Sequence, residues 1–210
     1  MNSERSPSAG GYDFPRDPDK PFDRRALFWL PSLQPATLLF TPVTPTFAAA
    51  AMPINLARLP SVDLRRAPDG WHGYWPRAGV GSQFRIREMP VNIATTYAVT
   101  LSLDALFELR VHAATRFWRI LSGRAPGGSY REMPVQLRQL NILRLRAVDA
   151  RRAGASYRKI AEVLLNFRGN KEDFEHDPRK NKARRLVMDG DAYVHGGYRE
   201  FLYYPIRLRH

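Results

Sequence analysis

The spacing of apolar positions changes its period once along this chain, close to residue 101. Residues 1–20 are rich in Ser, Gly, Pro and charge and read as a disordered leader. From 21 to 101 the apolar residues come in short runs (26–30, 36–41, 83–87 and 97–101), separated by Pro and Gly. Gln83-Phe84-Arg85-Ile86-Arg87 alternates with period two, the pattern of a half-buried strand. Pro68-Asp69-Gly70 is a turn in which Pro presets φ and Gly accepts a positive φ. Trp71, Tyr74 and Trp75 follow it and are expected to cover one face of a small sheet. This portion is β-rich.

After residue 101 the period becomes helical. Ser102 is the expected cap of a first long helix, with Phe107, Val111, Ala114, Trp118 and Leu121 inward and Gly123 as its stop. A second helix is expected from about Met133 to Arg152, with Leu137, Leu140, Leu143 and Ala147 inward and Arg138, Arg144, Arg151 and Arg152 outward. Ser156 caps a short third helix carrying Tyr157, Ile160, Ala161 and Leu164 on one face. Residues 167–176 read as a polar loop. Asp177 and Pro178 then supply the N-cap and first turn of a fourth helix that stops near Gly190, with short helical pieces beyond it. The fold class is α+β: a leader (1–20), a β-rich portion (21–101) and a helical portion (102–210).

Composition narrows what such a chain does. Hydrophobic residues make up 44% and charged residues 25% of the 210, the profile of a globular protein. There is no cysteine, which removes disulfides, thiolate metal sites and cysteine nucleophiles. The most apolar stretch, 36–52, is broken by Pro42 and Pro45 and carries four threonines, so no membrane span is expected. The first residues lack the apolar core of a secretion signal, which points to the cytoplasm. Net charge is +13, and it is uneven. Residues 1–100 hold 11 basic and 8 acidic groups, whereas 101–210 hold 22 and 12. A helical half this basic is suited to a polyanion, nucleic acid above all.

Enzyme motifs are missing. The five histidines (72, 112, 176, 195 and 210) show no metal-binding pair at i, i+4. The glycines at 123–128 lack the Gly-Lys-Ser/Thr ending of a phosphate loop, and no Gly-x-Ser-x-Gly elbow occurs. No catalytic residue, metal or cofactor is assigned.

The third and fourth helices read differently, as a variant helix-turn-helix. In that arrangement a capped helix supports a second helix whose outer face enters the major groove. Ala183, Leu186 and Val187 form the inner stripe of the fourth helix; Asn181, Arg185 and Met188 lie opposite. Arg179, Lys180, Lys182, Arg184 and Arg185 put five cations within seven residues. Arg reads guanine O6/N7 and Asn reads adenine N6/N7. Ser156, Tyr157, Arg158 and Lys159, at the start of the third helix, offer N–H groups, a hydroxyl and two cations to a phosphate. Two features fit poorly: the connection of about ten residues, and its Glu172, Asp173 and Glu175.

The strings Leu101-Ser102-Leu103-Asp104-Ala105-Leu106-Phe107-Glu108-Leu109-Arg110, Gly154-Ala155-Ser156-Tyr157-Arg158-Lys159-Ile160-Ala161, Arg184-Arg185-Leu186-Val187 and Gly196-Gly197-Tyr198-Arg199 resemble one family of proteobacterial regulators. This is the RovC-like DNA-binding domain family. Residues 25–33 and 67–70 resemble the region preceding that domain in longer members. The resemblance implies a sequence-specific transcriptional regulator, an activator of genes on a conjugative element or secretion locus, and adds Tyr198 and Arg199 to the DNA-binding candidates. Double-stranded DNA is the implied partner, with a second copy of the chain, an antiactivator or RNA polymerase as protein partners and no membrane. Shorter relatives are antiactivators that bind a related regulator instead of DNA, and that alternative stays open at this point.

Overall fold

A computed structural model describes Gly11, Tyr12, Phe14 and residues 26–44, 50, 52–88 and 93–206. The remainder of the expected leader, Pro45 and His210 lie outside the described residues. The chain divides into two compact units, one up to Arg131 together with Ile206 and the other Glu132–Pro205.

The first unit holds a five-stranded mixed sheet. Its strands are β1 (Leu38–Pro42), β2 (Asp63–Ala67), β3 (Gly70–Arg77), β4 (Val80–Ile86) and β5 (Tyr97–Thr100), in the order β2-β3-β4-β1-β5. β1 runs parallel to β4, and every other pairing is antiparallel. Turn chemistry explains the two hairpins. Ala67 pairs with Gly70 across Pro68-Asp69, and Gly70 takes φ +128°, where a Cβ would strike the Ile86 carbonyl. Arg77 pairs with Val80 across Ala78-Gly79, both at positive φ, the two-residue turn whose twist suits antiparallel strands.

Leu38, Phe40, Trp75, Phe84 and Ile86 are buried on one sheet face against Phe117 and Ile120 of helix α1 (Phe107–Leu121). The ring of Phe117 meets Trp75 at 5.1 Å and Phe40 at 5.2 Å. Trp71 packs on this same core, but Tyr74 does not lie with its two tryptophan neighbours. The pleat alternates side chains, so His72 and Tyr74 take the opposite face, below Tyr12, Phe14 and Phe28. Residues 26–30 are no strand of this sheet. They run extended over the second face, where Gln83 donates to the Trp29 carbonyl (2.6 Å) and accepts from its N–H.

Helix α1 departs from expectation in start and, in part, in facing: Ala114 and Leu121 pack on the core, whereas Val111 and Trp118 are exposed. Asp104 accepts from the Leu106 N–H and the helix begins at Phe107, five residues beyond Ser102. Leu109, Phe117 and Ile120 are its buried residues, and Trp118 remains 46% exposed. Both stripes are apolar, so periodicity alone could not choose between them. Gly123 stops it at φ +71° as expected.

The second unit contains α2 (Val135–Arg152), α3 (Tyr157–Leu165), α4 (Lys171–His176), α5 (Pro178–Ala192), a turn of π-helix (Tyr193–Gly197) and α6 (Arg199–Tyr203). Its core joins Ala147 of α2, Ile160 and Ala161 of α3, Phe174 of α4, Ala183 and Leu186 of α5, and Phe167. The expected loop at 167–176 is half helix. Asn170 accepts from the Asp173 N–H while Asp173 accepts from the Asn170 N–H, a reciprocal capping box that starts α4. α5 ends at Ala192, near the expected stop, and Gly190 inside its last turn lets α5 approach the Arg144 backbone of α2. Arg144, expected outward, turns to α5 instead. It pairs with Asp189 (2.9 Å) and donates to Tyr193 Oη (2.9 Å) and Asn141 Oδ1 (3.0 Å), because those three acceptors sit beside the close crossing.

Candidate nucleic-acid interface

The basic end of α5 is built by local chemistry. Asp177 caps the helix by accepting from the Arg179 N–H (2.7 Å), and Pro178 occupies the first turn, where its missing N–H costs nothing. Ala183 and Leu186 are buried and Val187 is half-buried, which turns the other side of the helix outward. Asn181, Lys182, Arg184, Arg185 and Met188 are all exposed there. Ser156 Oγ accepts from the Lys159 N–H (3.2 Å) and fixes the start of α3 beside that end.

The five cations of α5 are not equivalent. Arg179 pairs with its own cap, Asp177 (3.1 Å), and Lys180 pairs with Glu175 of α4. Arg184 places its guanidinium 5.7 Å from the ring centroid of Tyr157, which also has Arg151 of α2 at 4.8 Å. Lys182 and Arg185 meet no carboxylate among the described residues. On α3, Arg158 and Lys159 share the single carboxylate of Glu162, at 3.6 and 3.3 Å.

The acids of the connecting segment thus have structural partners. Asp173 completes the cap of α4, Glu172 lies in its first turn, and Glu175 faces cations. The hydrogen bond from Lys180, followed by the charges of Lys180, Arg184 and Lys171, holds the Glu175 carboxyl below the ordinary range. Between α3, α4 and α5 lies an open cleft of about 350 Å³ lined by Ser156, Tyr157, Arg158, Lys171, Phe174, Glu175, Lys180 and Arg184. Four cations face one carboxylate there, and an anion is the ligand such a cleft favours.

The twelve candidate residues therefore fall into two places. Ser156, Tyr157 and Arg158 of the α3 start line one cleft with Lys180 and Arg184 of α5, while Lys159 lies on the same turn of α3 and Arg179, Asn181, Lys182 and Arg185 on the same end of α5. Tyr198 and Arg199 lie past the other end, beyond the turn Tyr193–Gly197 where His195 and Gly196 leave helical geometry; α5 itself rises roughly 20 Å from Arg179 to Ala192 at 1.5 Å per residue. Arg151 and Lys171 add two cations beside these residues and are not among the sequence candidates for DNA binding. The capping pattern Asn170-x-x-Asp173 was the signal that Lys171 stands on a helix.

Residues 100–203 match the model of a family described as a type VI secretion (T6SS) transcription factor DNA-binding domain. Over this segment the chain is similar to the RovC DNA-binding domain family. The RovC-type segment takes in α1 of the first unit and every helix of the second. It is a family of DNA-binding transcription factors and not of enzymes. Comparison with curated proteins and with solved structures gives no match. No helix among the described residues is long and apolar enough to cross a membrane.

Proposed function

We propose that this protein is a cytoplasmic, sequence-specific transcriptional regulator that activates a secretion or mobile-element locus. In this reading α5 lies in the major groove as the second helix of a variant helix-turn-helix, and the start of α3 rests on the backbone. One observation carries it: Asn181, Lys182 and Arg185 project from a helix whose other side is buried, and neither cation has a carboxylate to neutralise it among the described residues. Arg185 and Asn181 are one turn apart, so both reach base edges from a single helix face. Arg158, Lys159 and Arg184 take phosphates. The sheet-bearing unit serves as the surface for a second copy of the chain or for RNA polymerase.

Anisotropy titration of duplexes from the protein's own genomic neighbourhood, over a series of salt concentrations, tests the reading. Replacing Lys182 and Arg185 with Ala should lower the slope of log K against log salt by about one, for the phosphate contact of Lys182. Loss of the base contact from Arg185 adds on the order of 1–3 kcal/mol at the cognate site. A folded double variant that binds every duplex as tightly as wild type would refute the assignment of α5 as the reader.

A further inference from the structure

Three helices converge on one aromatic ring in the second unit. Tyr157, at the first turn of α3, has the Arg151 guanidinium of α2 at 4.8 Å and the Arg184 guanidinium of α5 at 5.7 Å. Both arginines are exposed, and neither pairs with a carboxylate among the described residues. The bond that Arg151 makes is to a neutral acceptor, the Ala155 carbonyl (3.1 Å). Two like charges drawn to one place repel each other, and each side chain loses rotamer freedom in being held there. The negative face of the phenol ring compensates part of that repulsion. Tyr157 and Arg184 also line the cleft of about 350 Å³, whose one carboxylate, Glu175, is engaged by Lys180.

We propose that Tyr157 is a positioning residue: its ring holds Arg184, with Arg151 behind it, to grip one phosphodiester of the DNA backbone at the mouth of this cleft. The inference rests on the duplex-binding reading above and names what that end of the site binds. Arg suits the task because its fork matches two phosphate oxygens, provided that the fork is aimed. The ring supplies the aim, and its hydroxyl is not required. A backbone contact positions a protein without reading sequence, which sets this role apart from that of Arg185.

The test compares Tyr157→Leu, Tyr157→Phe and Arg184→Gln with wild type in full-length protein, by salt-dependent anisotropy on duplex DNA and by sequence selection from a random duplex pool. Tyr157→Leu should weaken binding roughly tenfold and lower the salt slope by about one, with the selected sequence unchanged. Tyr157→Phe, keeping the ring, should rescue the slope. Arg184→Gln should reproduce the Leu effect, and the double variant should add little to either single change. A wild-type slope in Tyr157→Leu overturns the proposal, as does a Phe variant that falls with Leu. Should the Leu variant fail to fold, Arg184→Gln decides, and an unchanged slope in it overturns the proposal. Wild-type protein that binds a mononucleotide as well as duplex would place a free ligand in the cleft and also overturn it. Wild-type protein that binds no duplex at any salt would refute the duplex reading itself.

Discussion

Gly190 offers a clean test of how α5, the proposed reading helix, is held. An exposed helix interior gains about 1 kcal/mol when Ala replaces Gly. Here the added Cβ would lie 2.6 Å from Val148 Cγ2 and 2.8 Å from the Arg144 carbonyl carbon, with the carbonyl oxygen closer still. A comfortable separation is about 3.5–4 Å, so α5 and α2 must part by roughly 1 Å. Backbone atoms cannot rotate aside, which puts the strain at the upper end of the usual range of about 1–3 kcal/mol for overpacking. The gain in helix propensity offsets about 1 kcal/mol of this, leaving a net loss of about 1–2 kcal/mol. For a unit of this size that is a melting-point drop of about 4–16 °C in circular dichroism. The Arg144–Asp189 pair (2.9 Å) spans the same crossing and should loosen with it. Adding Val148→Ala to Gly190→Ala removes one clash and leaves the carbonyl, so it should recover only part of the loss. A Gly190→Ala variant that melts at or above wild type would refute the argument that this crossing is set by the glycine.

Two further outcomes follow from single contacts. Ser156→Ala removes the acceptor that caps α3 and should cost about 1 kcal/mol, read as a lower melting temperature of the second unit. In the first unit, burial raises the Asp69 carboxyl, but bonds from Tyr12 and His72 and the charges of His72 and Arg85 outweigh it and leave the group below its usual value. A depressed folded pKa stabilises above the unfolded value, near 4, and that contribution disappears as pH falls through the folded value. Asp69→Asn should therefore flatten the acid limb of tryptophan-monitored unfolding below about pH 4 and leave its shape at about pH 6 unchanged; an identical acid limb would refute the linkage.

Features that depend on neighbours in sequence were legible, and those that depend on distant partners were not. Ser156, Asp177-Pro178, Gly123 and the Pro68-Asp69-Gly70 turn are visible because a cap or turn is decided within four residues. The short α4 hid in a polar stretch: six residues are too few for a hydrophobic period, although Phe167 and Phe174 on either side of its cap both enter the core. α1 misled for the opposite reason, since Val111 and Trp118 are as apolar as Leu109 and Phe117. The sheet decides which pair it covers, and it packs on Phe117 and Ile120. In the candidate site the cation run on α5 is plain in the sequence, but its partition is not. That Lys180 is engaged by a carboxylate while Lys182 is not depends on where α4 ends, and the ring shared by Arg151 and Arg184 joins residues 33 apart.

That partition makes a prediction against intuition about Glu175. An acid on the proposed DNA-facing surface would by itself only repel, yet here it is coupled to one cation. Lys180 Nζ engages the Glu175 carboxylate and also lies 3.5 Å from the Glu175 carbonyl, so the lysine is directed back toward α4. If that tether keeps Lys180 out of the interface, Glu175→Gln frees one more cation for phosphate and relieves one repulsion. Duplex affinity then rises at low salt, and the slope of log K against log salt steepens by about one. The cap of α4 uses Asn170 and Asp173, not Glu175, so the fold is left intact. Asp173→Asn is the contrasting variant: it breaks the capping box and should lower the melting temperature without steepening the slope. Weaker binding by folded Glu175→Gln would mean the reverse, that Glu175 holds Lys180 in the position from which it meets the backbone, and the tether would then belong to the binding surface.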